Sequence, residues 1–581
     1  MSINISAISN RKLFSIIGYA SIFVLVSVVW VSRDCGAAED PDVREVLVLA
    51  KQSIDGLLNN TANRDAAFKL LAVTQAKAGD LTGALNSAAG RRMLGDRLDS
   101  YGEIAVVAAE SSDMKGIRQV LHHVNGESSV PLSYVIGLGS QIDARAHVLG
   151  PIAQIFANRH QVSLAQECVE LLEPGLFEFS TNMSKSVLAP VLSDLAEEYA
   201  RAKDLKRAVA TAQRQTNQWS QAVALARIAA VQAELRDING ALETEALIPS
   251  SFSANGPLPI VIKALVRAGA ISEAKDLVRR HLENARTLQH ESARSETLKH
   301  LAGPQAMTEG AKSALQTAAT LSDKPLGPMY GSHRDIAMQA IAMAEAERND
   351  FRAARDIAMT IPSDWTRDQT LKDLCARLAQ TGDIESALAT AMQIRNVLIK
   401  DAALIVLIQS MGEVEKMVAI LGLPAIIQNL DNKATALSHI AKYQARAGDV
   451  ANALKTVDTI QKQEAKDRAL QSIVEEQTTA TDVQGAIQTS STIQTEPYRS
   501  NALGSIAVAL VIKGDIATAL KMVDSAHEGY RDNALQQVAR AYTEKGSYKE
   551  ALAWATARTK PYEKLVALVG VSEGILSRKR N

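Results

Sequence analysis

Basic residues recur through this 581-residue chain at one fixed step: Arg334, Arg367, Lys400, Lys433, Lys466 and Arg499 lie 33 residues apart. Arg531 and Lys564 continue the frame at steps of 32 and 33, and Arg64 and Arg97 repeat it near the other end. Four positions after each cation stands a large apolar residue: Phe68, Tyr101, Met338, Leu371, Leu404, Leu437, Leu470, Leu503, Leu535 and Leu568. Twenty positions after it most units carry a small one: Ala84, Ala354, Ala387, Ala453, Ala486, Ala519 and Ala551. A unit this short cannot bury an apolar face alone, so the units must stack on one another in a solenoid.

Within the unit Arg499 to Tyr530, Leu503, Ile506, Ala507 and Leu510 paint one stripe on a helix. Gly514 breaks that helix, Asp515 caps the next, and Ile516, Ala519, Leu520 and Val523 form a second stripe. The pattern predicts an antiparallel helical hairpin. The same punctuation recurs as Gly79-Asp80, Asn349-Asp350, Gly382-Asp383, Gly448-Asp449, Thr481-Asp482 and Gly546-Ser547. The periodic cation is expected in the turn between hairpins, facing the carbonyl end of the preceding helix. The aspartate often following it (Asp65, Asp335, Asp368, Asp401, Asp467, Asp532) is expected to accept from the first free amides of the next helix.

On these residues the chain resembles the tetratricopeptide repeat (TPR) family from about Asn60 onward. Ala507, Ala519 and Ala526 fall where that family places small residues, and Gly514-Asp515 falls at its inter-helix turn. The family's aromatic positions are here Ile, Val or Leu, and its proline near the unit's end is mostly absent. The resemblance implies an all-α, right-handed α/α superhelical solenoid of about fourteen helical hairpins, with the amphipathic helix from Lys564 to Leu576 as a carboxy-terminal cap. It also implies that first helices line the concave side. Carried onto this chain, that geometry makes Lys69, Lys77, Lys372, Lys442, Arg446 and Arg540 the candidate concave binding surface, suited to acidic peptide segments.

The frame slips between Arg97 and Leu188, where Arg145, Leu149 and Ala165 mark one stretched hairpin, and again around Arg294, Leu298 and Ala314. Gly, Pro and Ser cluster at 126–140, 249–259 and 303–333, which reads as punctuation between elements. The middle cluster divides an amino-terminal repeat block (39–248) from a carboxy-terminal one (260–581) by a bend or loop. Ahead of the repeats, Arg11 and Lys12 precede nineteen uncharged residues, Leu13 to Val31, and Gly36-Ala37-Ala38 follows. Residues 1–38 therefore read as a signal peptide cleaved after Ala38, or as an uncleaved signal-anchor through residues 13–31. Either expectation puts the solenoid beyond the cytoplasmic face, exported or anchored. Cys35 lacks the residues that a bacterial lipoprotein signal places before its cysteine.

A net charge of −1 offers no basic field for a nucleic-acid backbone, so no nucleic-acid partner is expected. The three cysteines, Cys35, Cys168 and Cys375, form no Cys-x-x-Cys pair, and the ten histidines form no His-Glu-x-x-His. Neither metal nor cofactor is expected. Gly-x-Ser-x-Gly is missing, and carboxylates are spread evenly through the units. These features point to a non-catalytic protein-protein interaction scaffold, touching membrane only through its amino-terminal segment. The alternatives are an α-superhelical enzyme or enzyme subunit of the cell envelope, of glycan-processing type, or a purely structural spacer.

Overall fold

The computed structural model describes residues 41–57, 61–127, 144–176, 182–215, 217–249, 257–327, 331–410 and 420–580. The proposed signal or anchor (1–38) lies outside them, as do most of the 126–140 cluster and the centre of the 249–259 bend. Thirty α-helices are described, from α1 (Pro41–Asp55) to α30 (Pro561–Arg580). They form an all-α stack of antiparallel hairpins. In the specimen unit the helices run Tyr498–Lys513 and Ile516–Ser525, with Gly514 between them at φ 90°. A side chain resists that left-handed backbone, which is why glycine recurs there. Gly79, Gly382 and Gly448 take the same conformation, as do Asn349 and Thr481. Gly546 keeps a negative φ of −115°.

Many of the turns are locked by a side-chain set that recurs along the chain. The aspartate after the turn caps the second helix: Asp80 accepts from the Gly83 amide, Asp449 from Asn452, Asp482 from Gly485 and Asp515 from Thr518. Five residues before it, a buried glutamine ties both helices together. Gln477 donates to Asp482 (3.1 Å) and accepts from the Thr489 hydroxyl (2.8 Å). Gln75 and Gln232 make the same two bonds, to Asp80 and Ser87 and to Asp237 and Thr244. Gln444 accepts likewise from Thr456. Satisfied in this way, a buried amide avoids the desolvation penalty that an unpaired one would carry.

Small residues set the spacing between helices. Ala84, Ala354, Ala387, Ala453, Ala486, Ala519 and Ala551 are all 0 % exposed, so in these units the second helix approaches its neighbours at an alanine. Leu371, Leu404, Leu535 and Leu568, the large residues after the cation, are also fully buried. The slipped units keep this core: Leu149, Ala165 and Ala314 are 0 % exposed. The punctuation expected from Gly303 onward begins later, because Gly303 and Pro304 lie inside the helix Glu291–Glu309. Gly303 is buried there at a close approach, since a Cβ would stand 3.3 Å from the Ala340 carbonyl oxygen and the neighbouring helix would have to give slightly. Its role is close helix packing.

First helices, 11 to 20 residues long, each pack on the first helix of the next hairpin along the whole stack. Second helices, many of only nine residues, scarcely meet one another. A row in contact beside a row that splays apart means curvature, with the first helices on the inner side. The curvature closes. Helix α30 occupies a first-helix position, and its second helix is supplied by α1 from the other end of the chain; α30 also packs on α2 (Thr61–Lys77). Helix α30 shields the last unit as a cap would, and its other faces are covered by α1 and α2. Val43, Val46, Leu47, Ala50 and Ile54 of α1 and Leu565, Val566, Leu568 and Val569 of α30 are buried in one cluster. Tyr548 donates to Asp42 (2.7 Å), and Glu573 accepts from both Lys77 (3.1 Å) and Gln536 (2.9 Å). Gly570 and Gly574 bring α30 close to the preceding first helix, Asp532–Lys545. A Cβ on Gly570 would lie 2.2 Å from the Gln536 carbonyl oxygen.

Candidate functional site

Six of the frame's cations stand one turn further along than the sequence reading placed them, whereas Arg531 is the N-cap in the turn, as expected. Arg64, Arg97, Arg367, Lys400, Lys433 and Lys466 are each the fourth residue of a first helix. The displacement follows from capping: Ser363 and Asn429 each cap such a helix four residues before its cation, so the helix has begun before the cation. The cation still meets the preceding helix's carbonyl end in several units. Arg334 donates to the Ala319 and Leu321 carbonyls (3.2 and 3.1 Å), Arg97 to Arg91 (3.2 Å) and Arg531 to Asp524 (3.3 Å). Lys466 reaches the Asp458 carboxylate at 2.8 Å. Arg367 is 4 % exposed, held by Asp364 and Asp368.

Asp335 accepts from the Ser332 amide at the start of its own helix (2.8 Å), near the expectation, but in other units the aspartate beside the cation has a different partner. It reaches across to the following hairpin and accepts from the backbone at the start of that hairpin's first helix. Asp368 accepts from the Asn396 amide (2.7 Å), Asp401 from Asn429 (2.8 Å), Asp467 from Thr495 (2.9 Å) and Asp65 from Arg92 (3.1 Å). Ser500 plays the part toward His527 at 3.0 Å. Asp368, Asp401 and Asp467 are 1 %, 1 % and 0 % exposed. The most regular charges in the sequence therefore form a chain of straps from hairpin to hairpin.

Lys69, Lys77, Lys372, Lys442, Arg446 and Arg540 all lie on first helices, and each has an acidic neighbour. Lys69 pairs with Glu103 on the next first helix (2.7 Å), Lys77 with Glu573 of α30, and Lys442 and Arg446 both with Glu476, Arg446 in a two-point contact of 3.1 and 2.8 Å. Arg540 pairs along its own helix with Glu544 (2.9 Å), and Lys372 makes a looser contact with Asp373 (3.8 Å). The structure unites Lys442 and Arg446 at one carboxylate, keeps Lys69 and Lys77 on one helix with separate partners, and leaves Lys372 and Arg540 on two other units. Sequence reasoning missed the acidic half of this row, including Asp194 and Glu197, which both hold Arg227. The step of about one repeat between Lys69 and Glu103, or Arg446 and Glu476, carried the signal.

In the slipped unit, Glu296 gathers Lys299, His300 and His333. Burial pushes the Glu296 carboxyl upward, but hydrogen bonds from Lys299 and His300 outweigh it and hold the group below the usual range. Burial also lowers His300, more than Glu296 raises it. Glu309 is likewise lowered, the donors Gln305 and Ser313 overcoming its burial. Burial pushes the Cys168 thiol up to about 12 and the Cys375 thiol up to about 11, leaving both protonated at neutral pH.

No family model matches the chain, and no curated protein matches it. Among solved structures, Ton1535 from Thermococcus onnurineus NA1 covers 67 % of this chain and 98 % of its own, at 15 % identity and a TM-score of 0.20. A circular tandem repeat protein with novel repeat topology and enhanced subunit contact surfaces covers 93 % of this chain and 97 % of its own, at 12 % identity and a TM-score of 0.12.

Proposed function

We propose that this chain is a non-catalytic scaffold of TPR-like hairpins, exported or held at the membrane by residues 13–31, that binds acidic segments of a protein partner along its row of first helices. One observation carries the reading: the charges of that row are joined in pairs between neighbouring units whose cations stay about half-exposed, such as Lys69 with Glu103 and Arg446 with Glu476. Exposed pairs contribute only about 0–1 kcal/mol each, so an incoming carboxylate can replace Glu103 on Lys69 at little cost, while Lys442 and Arg446, 36 % and 47 % exposed, can bind one alongside the more buried Glu476. The envelope-enzyme alternative requires a glutamate held protonated near neutral pH. Glu296 and Glu309 of the slipped unit are shifted the other way.

Affinity capture from the cell envelope at low and high salt, with identification of what is retained, tests the proposal. Retention of a specific protein by the wild type, its loss at high salt, and its loss in Lys442→Glu/Arg446→Glu at low salt are the expected results. Equal retention by the wild type and the double variant would overturn it.

A further inference from the structure

We infer that the slipped hairpin, Glu291–Glu309 with Ala311–Ala319, binds a hydroxylated monocarboxylate of the sugar-acid type. Its site is a cavity of about 470 Å³ between this hairpin and the end of the preceding second helix, Ile271–Thr287, a size usual for small-molecule sites. The cavity lies where three devices that recur in other hairpins are missing. Gly310 stands five residues after Gln305, where other units carry the capping aspartate, so the Gln305 amide nitrogen donates instead to Glu309 and Ser313, both at 3.0 Å. Thr317 stands twelve after it, yet donates no hydrogen bond to the glutamine as Ser87, Thr244, Thr456 and Thr489 do in their units. Ser295 replaces the strap aspartate and, among the described residues, bonds no amide of the next hairpin, whose first helix begins only at His333.

Unpaired groups of complementary kinds therefore surround one space. Gln305 lines the cavity at 3 % exposure, and its Oε1 has no hydrogen-bond partner among the described residues. Turning the amide round brings no relief, because Glu309, a carboxylate that also accepts from Ser313, needs the nitrogen facing it. A buried carbonyl oxygen without a donor is unfavourable, so the site favours a ligand that brings one. Ser295 and Thr317, both 7 % exposed, add hydroxyls to the lining, and Leu298 an apolar surface. On the solvent side stand Arg286, Arg294 and Glu291. Arg97 and Arg334 donate to carbonyls of the preceding helix, whereas Arg286 and Arg294 make no ion pair or side-chain hydrogen bond among the described residues. Two cations against one carboxylate leave one positive charge for a monoanion, and a guanidinium fork matches a carboxylate. An anion without donors leaves Gln305 unsatisfied, and a neutral sugar leaves the arginines unpaired; a sugar acid answers both.

Saturation-transfer NMR on the full chain tests the site, with D-glucuronate and D-glucose as probes and sulfate as competitor. D-glucuronate should bind, D-glucose should bind at least roughly tenfold more weakly, and sulfate at equal concentration should not displace D-glucuronate. Arg286→Ala/Arg294→Gln should raise the dissociation constant for D-glucuronate at least roughly tenfold, the loss of a charge-assisted contact. Thr317→Val should raise it roughly three- to tenfold while thermal unfolding stays unchanged, because the hydroxyl serves no protein partner among the described residues. The inference fails if the wild type does not bind D-glucuronate, if D-glucose binds as tightly, or if either variant binds D-glucuronate as the wild type does. Displacement by sulfate at equal concentration would also overturn it, reducing the site to a bare anion contact.

Discussion

At the scale of single residues, the periodic aspartate decides more than the cation beside it. Asp467 is 0 % exposed and accepts from both the amide and the hydroxyl of Thr495, at 2.9 and 2.7 Å. Asp467→Ala leaves that amide without its partner, and the expected loss is about 1–3 kcal/mol in urea denaturation. An unchanged midpoint would mean that the strap carries no weight. The acidic position was legible, since it recurs beside the cation; its partner was not. A bond reaching 28 residues onward depends on where the next helix starts, and Asn396 or Thr495 becomes its donor only after two hairpins have stacked.

Helices were the most legible level. Gly514, Asp515 and the stripe Ile506, Ala507, Leu510 predict a break and two helices, and Tyr498–Lys513 and Ile516–Ser525 follow. Local chemistry suffices there, because a left-handed glycine and a capping aspartate act within a few residues. The glutamine that bridges several of the hairpins was overlooked, although Gln75, Gln232 and Gln477 all have Asp five and Ser or Thr twelve positions later. Gln477→Leu removes both bonds and strands the buried Thr489 hydroxyl. Thermal unfolding should show a loss of about 1–3 kcal/mol, with Thr489→Val partly compensating in the double variant because the orphaned hydroxyl is then gone. Additive losses would sink this account. Gly303-Pro304 misled for the opposite reason: both residues usually punctuate, yet here the glycine admits the Ala340 backbone inside a helix.

For the whole molecule, closure is the property with the largest consequence. The fifteen first helices described, spaced about 8–10 Å apart, would run roughly 110–140 Å end to end in an open stack. In the closed one, Tyr548 bonds Asp42 and α30 packs on α1. Dyes at Lys51→Cys and Lys549→Cys, both exposed, should therefore transfer energy efficiently, and removing residues 561–581 should abolish the transfer. Low transfer in the intact chain would refute closure. The sequence alone determined the period, the hairpin, its turn and its buried alanines, because each is enforced within a unit or between identical neighbours. Only the tertiary structure decided that the two ends complete one hairpin, and that Lys69, Lys442 and Arg446 stand opposite Glu103 and Glu476. Both depend on how a small rotation per unit accumulates around the stack, and that rotation is set by the packing of many helices together.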